Sequence, residues 1–324
     1  MSEVRFLIVE ADEKALRLDR WFRRYFPELS HTLLEKLLRK GQVRVDGQRA
    51  KAGLRLEEGQ KIRVPPFQVN AHRRPVRKTL PVSAGDAKRL RESILYQDED
   101  VLVLNKPAGL AVHGGTKTLR HLDGMLEVLR FEKEDRPRLV HRLDRDTSGV
   151  LVLARTPAAA AWLTKAFREK TVRKIYWALV GGVPRPETGE MTMALAKRPV
   201  GKGEQVVADA AGGKAAKTQY AVLDKAGRKV AWLALMPLTG RTHQLRVHCA
   251  AKEVPILGDF KYGGPEARFD GKGIAGRLHL HAYEIEFMHP RKGKIRVVAP
   301  LPEDLRASWE AFGFDLKAGN LDAF

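Results

Sequence analysis

Cysteine is almost absent from the sequence, and so is any long apolar run. The single cysteine, Cys249, excludes a disulfide framework and a thiolate zinc site, and it fits a reducing cytosol. No stretch approaches the roughly 20 apolar residues of a membrane span, and the N-terminus lacks the pattern of a signal peptide. No Walker loop, dinucleotide fingerprint or nucleophile-elbow serine is present. These absences favour a cytoplasmic protein and weigh against ATP, NAD and acyl-transfer chemistry.

Acidic residues are scarce relative to basic ones. Lys and Arg number 59 against 39 Asp and Glu, which gives a net charge of +20 over 324 residues. Residues 1–90 hold 21 basic and 11 acidic side chains, so half of the surplus lies in about a quarter of the chain. A surplus of this size indicates a polyanionic partner, of which nucleic acid is the commonest, whereas the alternative is solubility alone.

Residues 15–66 have the signals of a small α/β module. An apolar helix face is followed by Ser30 as the N-cap of a second helix, and Gly41 stands where that helix ends. Asp46 and Gly47 then predict a tight hairpin, and a strand over 61–64 closes the module. Residues 67–90 are basic, contain prolines and have little periodicity. They predict a linker that either orders on RNA or remains a solvated tether.

Strands outnumber helices from residue 91 onward. The two are not evenly interleaved, so we predict an α+β domain with a mainly antiparallel sheet over 91–316. Helices are expected at 122–129 and 157–170. The segment 198–216 is rich in Gly, Lys and Ala, and we interpret it as a loop or hairpin.

The sequence HRLDRDTSG at 141–149 crowds seven polar residues into a loop before a strand. Its carboxylates, Asp144 and Asp146, lie among cationic neighbours that favour the ionised form, and an ionised carboxylate acts as nucleophile or base. The alternative is an Asx-turn in which Asp146 or Ser148 caps backbone amides. The residue types alone leave these two interpretations about even.

Two further segments carry groups suited to chemistry. In 238–248, Arg241 follows a glycine and is able to pair with a carboxylate in a bidentate fork. Tyr176 begins a strand among basic residues, where it either stacks on a nucleobase or packs in the core. A metal site is disfavoured, because His243 and His248 do not share a helix face and His279 and His281 fit an ordinary strand face.

The N-terminal module resembles the S4 RNA-binding domain, through RLDRW at 17–21 and LLRKGQVRVDG at 37–47. Six ordered motifs of the larger domain resemble the ribosomal large-subunit pseudouridine synthases. They are LYQDED at 95–100, NKPAGLAVH at 105–113, HRLD at 141–144, KIY at 174–176, TGRTHQLR at 239–246 and GDFKYG at 258–263, with RLHLHA at 277–282 closing the match. The appended S4-like module points to the C type, acting on 23S rRNA, and the D type shares this layout.

This resemblance implies specific roles. Asp144 is the family's catalytic carboxylate, Arg241 is expected to hold it through a salt bridge, and Tyr176 stacks on the base. The reaction breaks the C1′–N1 bond of a uridine and forms a C1′–C5 bond, with neither cofactor nor metal. Asp144 would attack C1′, attack C6, or remove the C2′ proton to give a glycal. The expected RNA contacts of this monomer are Arg39, Lys40, Arg44, Arg73, Arg74, His141, Arg142, Lys174 and Arg246.

Two other functions are compatible with parts of the sequence. The first is an rRNA-binding or ribosome assembly factor that has kept the fold without the chemistry. The presence of Asp144, Arg241 and Tyr176 argues against it. The second is a glycoside hydrolase that uses Asp144 and Asp146 as an acid–base pair. Carboxylates two residues apart in one loop rarely face each other across the ~5 Å or more that such a pair requires.

Overall fold

The computed structural model describes residues 3–13, 15–26, 28–67, 82–114, 118–201 and 203–319. The chain divides into two compact units, Met1–Lys78 and Thr79–Phe324. Arg73 and Arg74, predicted as RNA contacts in the linker, lie outside the described residues. No helix in the described ranges is long and apolar enough to cross a membrane.

The first unit packs two helices on a four-stranded antiparallel sheet of order β1-β4-β2-β3. Its elements are β1 (Arg5–Ile8), α1 (Leu18–Tyr25), α2 (His31–Arg39), β2 (Arg44–Val45), β3 (Gln48–Arg49) and β4 (Lys61–Val64). Leu18, Trp21 and Phe22 of α1 are buried, as the apolar spacing predicts. Strand β1 pairs with β4, so this unit begins about ten residues before the predicted start at residue 15.

Local signals of the first unit act as predicted. The Ser30 hydroxyl accepts a hydrogen bond from the Leu33 amide at the start of α2. Gly41 ends the helix with φ +68°, a left-handed conformation that glycine adopts without a Cβ clash. Asp46 and Gly47 both have positive φ, as a two-residue hairpin between β2 and β3 requires.

The second unit is built on an eleven-stranded sheet with few helices. Its elements are α3 (Ala84–Glu92), β5 (Ile94–Gln97), β6 (Val101–Lys106), α4 (Leu122–Met125), β7 (Arg138–Leu139), β8 (Ser148–Ala154), α5 (Pro157–Glu169), β9 (Arg173–Gly181), β10 (Thr188–Val200), β11 (Gly203–Ala208), β12 (Lys214–Ala226), β13 (Val230–Pro237), α6 (Gln244–Ala251), β14 (Leu280–His289), β15 (Gly293–Val298) and α7 (Glu303–Ala311). The main strand order is β11-β10-β12-β13-β9-β14-β8-β6-β5, with β15 on β14 and β7 on β8. Only β8 and β14 pair in parallel among the described strands. The predicted α+β class with a mainly antiparallel sheet is confirmed.

Helix α3 corrects the predicted linker. It lies inside residues 67–90, begins at the N-cap Ser83 and buries Leu90 in the core of the second unit. The sequence gives little sign of this helix because Leu90 is the one residue that it buries. The segment 198–216 is a hairpin rather than a loop, formed by β10 and β11 and followed by β12.

The parallel contact between β8 and β14 fixes the loop that precedes β8. Gly149 has φ +112°, and a Cβ at this position would lie 2.1 Å from the Ala282 carbonyl oxygen. The Ser148 hydroxyl and His281 Nδ1 lie 2.9 Å apart, and both side chains are buried. Only glycine tolerates this approach, so the loop 140–147 leaves the sheet at a fixed point.

Candidate active site

Two cavities of the second unit share one wall. The larger, about 1180 Å³, is open toward solvent, and the smaller encloses about 280 Å³. Three residues line both cavities: Asp144, His243 and Arg246. Tyr176 and Arg241 line the smaller one. The loop before β8, the start of α6 and strand β9 therefore meet at one carboxylate.

The two carboxylates of the HRLD loop lie in different environments. Asp144 is about one-fifth exposed, and its Oδ1 lies 3.9 Å from His243 Nε2. Asp146 is more than half exposed and pairs with Arg145 at 3.5 Å. Asp146 lines only the larger cavity. Asp144 is therefore the carboxylate that faces both cavities, whereas the residue types alone favoured neither.

Lys106, at the end of β6, is hydrogen-bonded to the loop that carries Asp144. Its side chain is 1% exposed, and Nζ donates to the carbonyl oxygens of Pro107, Leu110 and Arg145 at 2.8, 3.0 and 3.1 Å. Three acceptors match the three donors of an ammonium group. Burial lowers the pKa of Lys106 to about 7, against the pull of the Asp146 and Asp144 charges. Lys106 thus ties β6 to the residue that follows Asp144.

Arg246 lies in the electrostatic field of Asp144. Arg246 is buried, and its guanidinium forks onto Asp259 through Nε–Oδ2 at 2.8 Å and Nη2–Oδ1 at 2.6 Å. Burial opposes its charge, but the hydrogen bonds to Asp259 and the charges of Asp259 and Asp144 outweigh burial and raise the pKa of Arg246.

Arg241 has a different partner from the one predicted. Its Nε donates to the Ala215 carbonyl oxygen at 3.2 Å, and its side chain is exposed at the rim of the smaller cavity. The expected salt bridge to Asp144 is not formed among the described residues. Gln244 explains the geometry, because its Oε1 accepts the Arg241 amide while its Nε2 donates to Lys217 and Thr218. These hydrogen bonds connect the loop to β12, and Arg241 donates to the Ala215 carbonyl oxygen of the same strand.

His243 lies between Asp144 and Tyr262. Its Nδ1 is 2.6 Å from the Tyr262 hydroxyl, and its backbone has φ +53°, which is uncommon for a residue other than glycine. Burial lowers the pKa of His243, aided by the Arg246 and Lys261 charges and opposed by Asp144 and Asp259. The imidazole is consequently neutral near pH 7.

Tyr176 is half-buried on β9 and contributes both to the core and to the smaller cavity. Burial and the Asp144 charge raise the pKa of its hydroxyl above the usual range. The body of Tyr176 packs against apolar core residues and its remaining surface faces the cavity, where stacking on a nucleobase stays a prediction. A neutral aromatic beside a carboxylate is suited to hold a base by stacking.

The predicted RNA contacts around this cavity differ in availability. His141 Nε2 accepts the Val152 amide, its ring stacks on Phe167, and burial lowers its pKa to about 3. It is a neutral structural group and carries no charge for a phosphate. Lys174 is half-buried with a pKa lowered by burial, whereas Arg142 is exposed at the cavity. Arg246 is committed to Asp259.

In the first unit, Arg39 and Lys40 are exposed at the end of α2. Arg44 donates to the carbonyl oxygens of Gly41 and Gly47, so part of its guanidinium serves the fold. The side chains of Arg39 and Lys40 are therefore suited to contact phosphates without a change of their position.

Within the described ranges, no three His, Cys, Asp or Glu residues are grouped to hold a metal ion. His281 bonds Ser148 and the Ala299 carbonyl oxygen, and His279 bonds the Leu257 carbonyl oxygen. Cys249 is buried in the core, and burial raises its pKa to about 12, so it is an apolar packing residue.

Sequence reasoning missed four groups that shape the site: Lys106, Asp259, Tyr262 and the role of His243, which was considered only as a metal ligand. All four lie in the motifs NKPAGLAVH, GDFKYG and TGRTHQLR. The position of these residues within the motifs was the one sequence signal that could have indicated a role in the site. Their partners are distant in the chain, so the contacts become apparent only from the fold.

Comparisons with known proteins show a match to two family models and to relatives of known name. The model of the RNA pseudouridylate synthase family matches residues 100–251, and the S4 domain model matches residues 16–62. The ribosomal large subunit pseudouridine synthase C of Pasteurella multocida is 36% identical over 312 residues, covering 94% of this chain and 92% of the relative. The enzyme of the same name from Escherichia coli K12 is 37% identical, with 94% and 95% covered.

Solved structures show the same likeness for the second unit. Human RNA Pseudouridylate Synthase Domain Containing 4 superposes with a TM-score of 0.60 at 31% identity, covering 71% of this chain and 96% of the human chain. Human RNA Pseudouridylate Synthase Domain Containing 1 gives a TM-score of 0.55 at 32% identity, with 68% and 86% covered. Residues that form the shared wall of the two cavities thus lie within the matched region.

Proposed function

The chain belongs to the RNA pseudouridylate synthase family, and we propose that it isomerises specific uridines of 23S ribosomal RNA with Asp144 as the catalytic carboxylate. Relatives named for the large ribosomal subunit match nearly the whole chain, including the S4 domain. The observation that carries the proposal is the position of Asp144, in the wall that two cavities share with Arg246 and His243.

The smaller cavity is suited to a single nucleoside, and the larger one to the adjoining strand. A uridine must leave its stack to reach Asp144, and unstacking costs a few kcal/mol. Stacking on Tyr176 and phosphate contacts offset that cost. The open cavity includes Arg145 and Arg277, which pair with Asp146 and Asp304 in the same wall, and Lys261, which is suited to contact a phosphate.

Asp144 acts on the ribose or on the base once the uridine is seated. Attack at C1′ releases the uracil from N1, removal of the C2′ proton gives a glycal, and attack at C6 forms an adduct with the base. In each route the C1′–N1 bond breaks, the base turns and C5 bonds to C1′. The bond from Asp144 to C1′ or C6 is then broken, or the C2′ proton is returned to the glycal, and C5 loses a proton while N1 gains one. The reaction is an isomerisation, so its atom balance requires no redox cofactor, ATP or metal.

Arg246 takes the electrostatic role that the sequence assigned to Arg241. The guanidinium held by Asp259 places a positive charge in the field of the Asp144 carboxylate before RNA arrives. Arg241, at the rim of the smaller cavity, is free to contact the substrate with the donors that Ala215 does not use.

The S4 domain supplies affinity for RNA through side chains such as Arg39 and Lys40, and the protein acts as a cytoplasmic monomer. Mapping of pseudouridine in 23S rRNA from cells with and without this protein tests the proposal. Specific uridines should lose the modification in its absence and regain it when the intact protein is returned. An unchanged pseudouridine map would contradict the proposal and leave an assembly role.

A further inference from the structure

We propose that His243 is a positioning residue that presents an Nε2–H donor to the Asp144 carboxylate, in a tautomer fixed by Tyr262 and the Val206 amide. The inference rests on the proposed function of Asp144. It concerns which oxygen of that carboxylate is engaged and which remains free for the uridine.

The tautomer follows from counting donors along a short chain of contacts. The Val206 backbone N–H donates to the Tyr262 oxygen at 3.3 Å. An amide nitrogen only donates, so the Tyr262 oxygen accepts there, and among the described residues His243 Nδ1 is the one hydrogen-bond acceptor in contact with the Tyr262 hydroxyl. His243 Nδ1, 2.6 Å from that oxygen, then accepts the hydroxyl hydrogen. A neutral imidazole has one N–H, so the proton of His243 is on Nε2.

Nε2 is the nitrogen that faces Asp144. The distance to Oδ1 is 3.9 Å, which is longer than a hydrogen bond, and catalytic contacts of this kind commonly shorten when substrate binds. Asp144 and His243 line both cavities, so RNA bound in either cavity lies against this pair. We expect the contact to close to a charge-assisted hydrogen bond in the complex with RNA.

The charges that face the imidazole favour this neutral donor. Arg246 and Lys261 oppose its protonation and Asp144 and Asp259 favour it, while burial disfavours the cation. Tyr262 is the remaining titratable group against the ring, and burial raises the pKa of its hydroxyl. The hydroxyl therefore keeps the hydrogen that it donates to Nδ1. His243 is accordingly a donor and not the base that removes the C5 proton.

Strand β11 is part of the same chain of contacts. The turn that carries Tyr262 is joined to β11 by Gln205, which donates to the Lys261 carbonyl oxygen, and by Lys261, which donates to the Glu204 carbonyl oxygen. Displacement of the β10–β11 hairpin moves the Val206 amide and with it the hydroxyl that fixes His243. Once the contact closes in the complex with RNA, this chain engages Asp144 Oδ1 and leaves Oδ2 for the uridine.

Two matched variants test the donor role. His243→Ala removes the donor, whereas His243→Gln places an amide N–H near the position of Nε2. Alanine and glutamine have a similar energetic cost at the positive φ of this position, so the two variants are matched in backbone strain. Single-turnover rates on a 23S rRNA fragment are measured from pH 5 to 8 at saturating enzyme. We expect His243→Ala to lose about tenfold in rate and to move the acid-side fall of the rate up by about one pH unit. His243→Gln should restore most of the rate and the original acid limb.

The tautomer itself is measured on the intact protein by ¹⁵N NMR of labelled histidine, with the His243 signal identified by its loss in His243→Gln. The shifts should show hydrogen on Nε2 from pH 6 to 8, and Tyr262→Phe should give a mixture of tautomers. An Nδ1–H tautomer in the unaltered protein, or an acid limb that is identical in all three proteins, would overturn the inference. If Asp144→Asn is inactive in the same assay, that outcome leaves the proposed function intact; an active Asp144→Asn refutes the function instead.

Discussion

Arg246 and Asp259 form a buried, two-point ion pair beside the Asp144 carboxylate. The guanidinium contacts both carboxylate oxygens at 2.8 and 2.6 Å, and Asp259 Oδ1 also accepts the backbone amides of Lys261 and Tyr262. Helix α6 and the GDFKYG turn are thereby locked together. The positive charge near Asp144 is consequently in place before RNA binds, which is the preorganisation that an electrostatic role requires.

The two arginines of the TGRTHQLR motif should behave differently when substituted. Arg246→Lys keeps the charge but loses the fork, so we expect at least a tenfold fall in the single-turnover rate and a lower free energy of unfolding. Arg241→Lys, at an exposed position, should change the rate less than threefold and act mainly on the Kd for RNA. If Arg241→Lys loses the single-turnover rate and Arg246→Lys keeps it, the electrostatic support of Asp144 comes from Arg241 and this account is contradicted.

Lys106→Met should destabilise the second unit and slow catalysis. The substitution leaves three carbonyl groups, one buried and two part-buried, without their donor and frees the loop around Arg145, at a cost of about 1–3 kcal/mol in the free energy of unfolding. Urea unfolding and single-turnover assays measure the two effects. Lys133→Met, at the surface pair with Glu99, is the matched control and should change neither. Equal stability of the Lys106 variant would contradict this role.

Tyr176→Phe and Tyr176→Leu separate the ring from the hydroxyl. If Tyr176 serves by stacking, Phe should keep most of the rate, whereas Leu should lose about tenfold or more, since base–aromatic stacking contributes ~1–3 kcal/mol. Rates at saturating enzyme and melting temperatures are compared for both. A Phe variant as slow as the Leu variant would assign the chemistry to the hydroxyl and contradict a stacking role.

The double variant Arg39→Gln, Lys40→Gln should weaken RNA binding in a salt-dependent way. Each lost phosphate contact lowers the slope of log K against log salt by about 0.7 to 0.9. The rate at saturating RNA should stay the same, because both residues lie in the first unit. Binding titrations between 50 and 300 mM salt measure the slope. An unchanged slope would remove these residues from the RNA interface.

Features with local causes were predictable from the sequence. Ser30, Gly41 and the Asp46–Gly47 turn act through their nearest neighbours, so their effects follow from residue type and order. The same holds for the strands of the second unit, whose apolar runs are buried. Helix α3 and strand β1 were not predicted, because contacts with distant segments stabilise them. Leu90 of α3 packs in the core of the second unit, and β1 pairs with β4.

The site was predictable in its members but not in its pairings. Asp144 and Tyr176 were identified through the resemblance, and the structure places both at one cavity. Among the described residues, Arg241 does not pair with Asp144, whereas Arg246 of the same motif lies in the field of that carboxylate. Their separation depends on Gln244, which starts α6 and fastens the loop to β12, and on Asp259, thirteen residues after Arg246. Sequence spacing does not contain that geometry.

The central claim is tested most directly by Asp144→Asn in a single-turnover assay on 23S rRNA fragments, with RNA affinity measured alongside. Asparagine keeps the size of the side chain and removes its charge, so the loop and the fold should persist. We expect pseudouridine formation to fall below detection while the Kd for RNA changes less than threefold. Pseudouridine formed by Asp144→Asn at a rate near that of the unaltered protein would contradict the account.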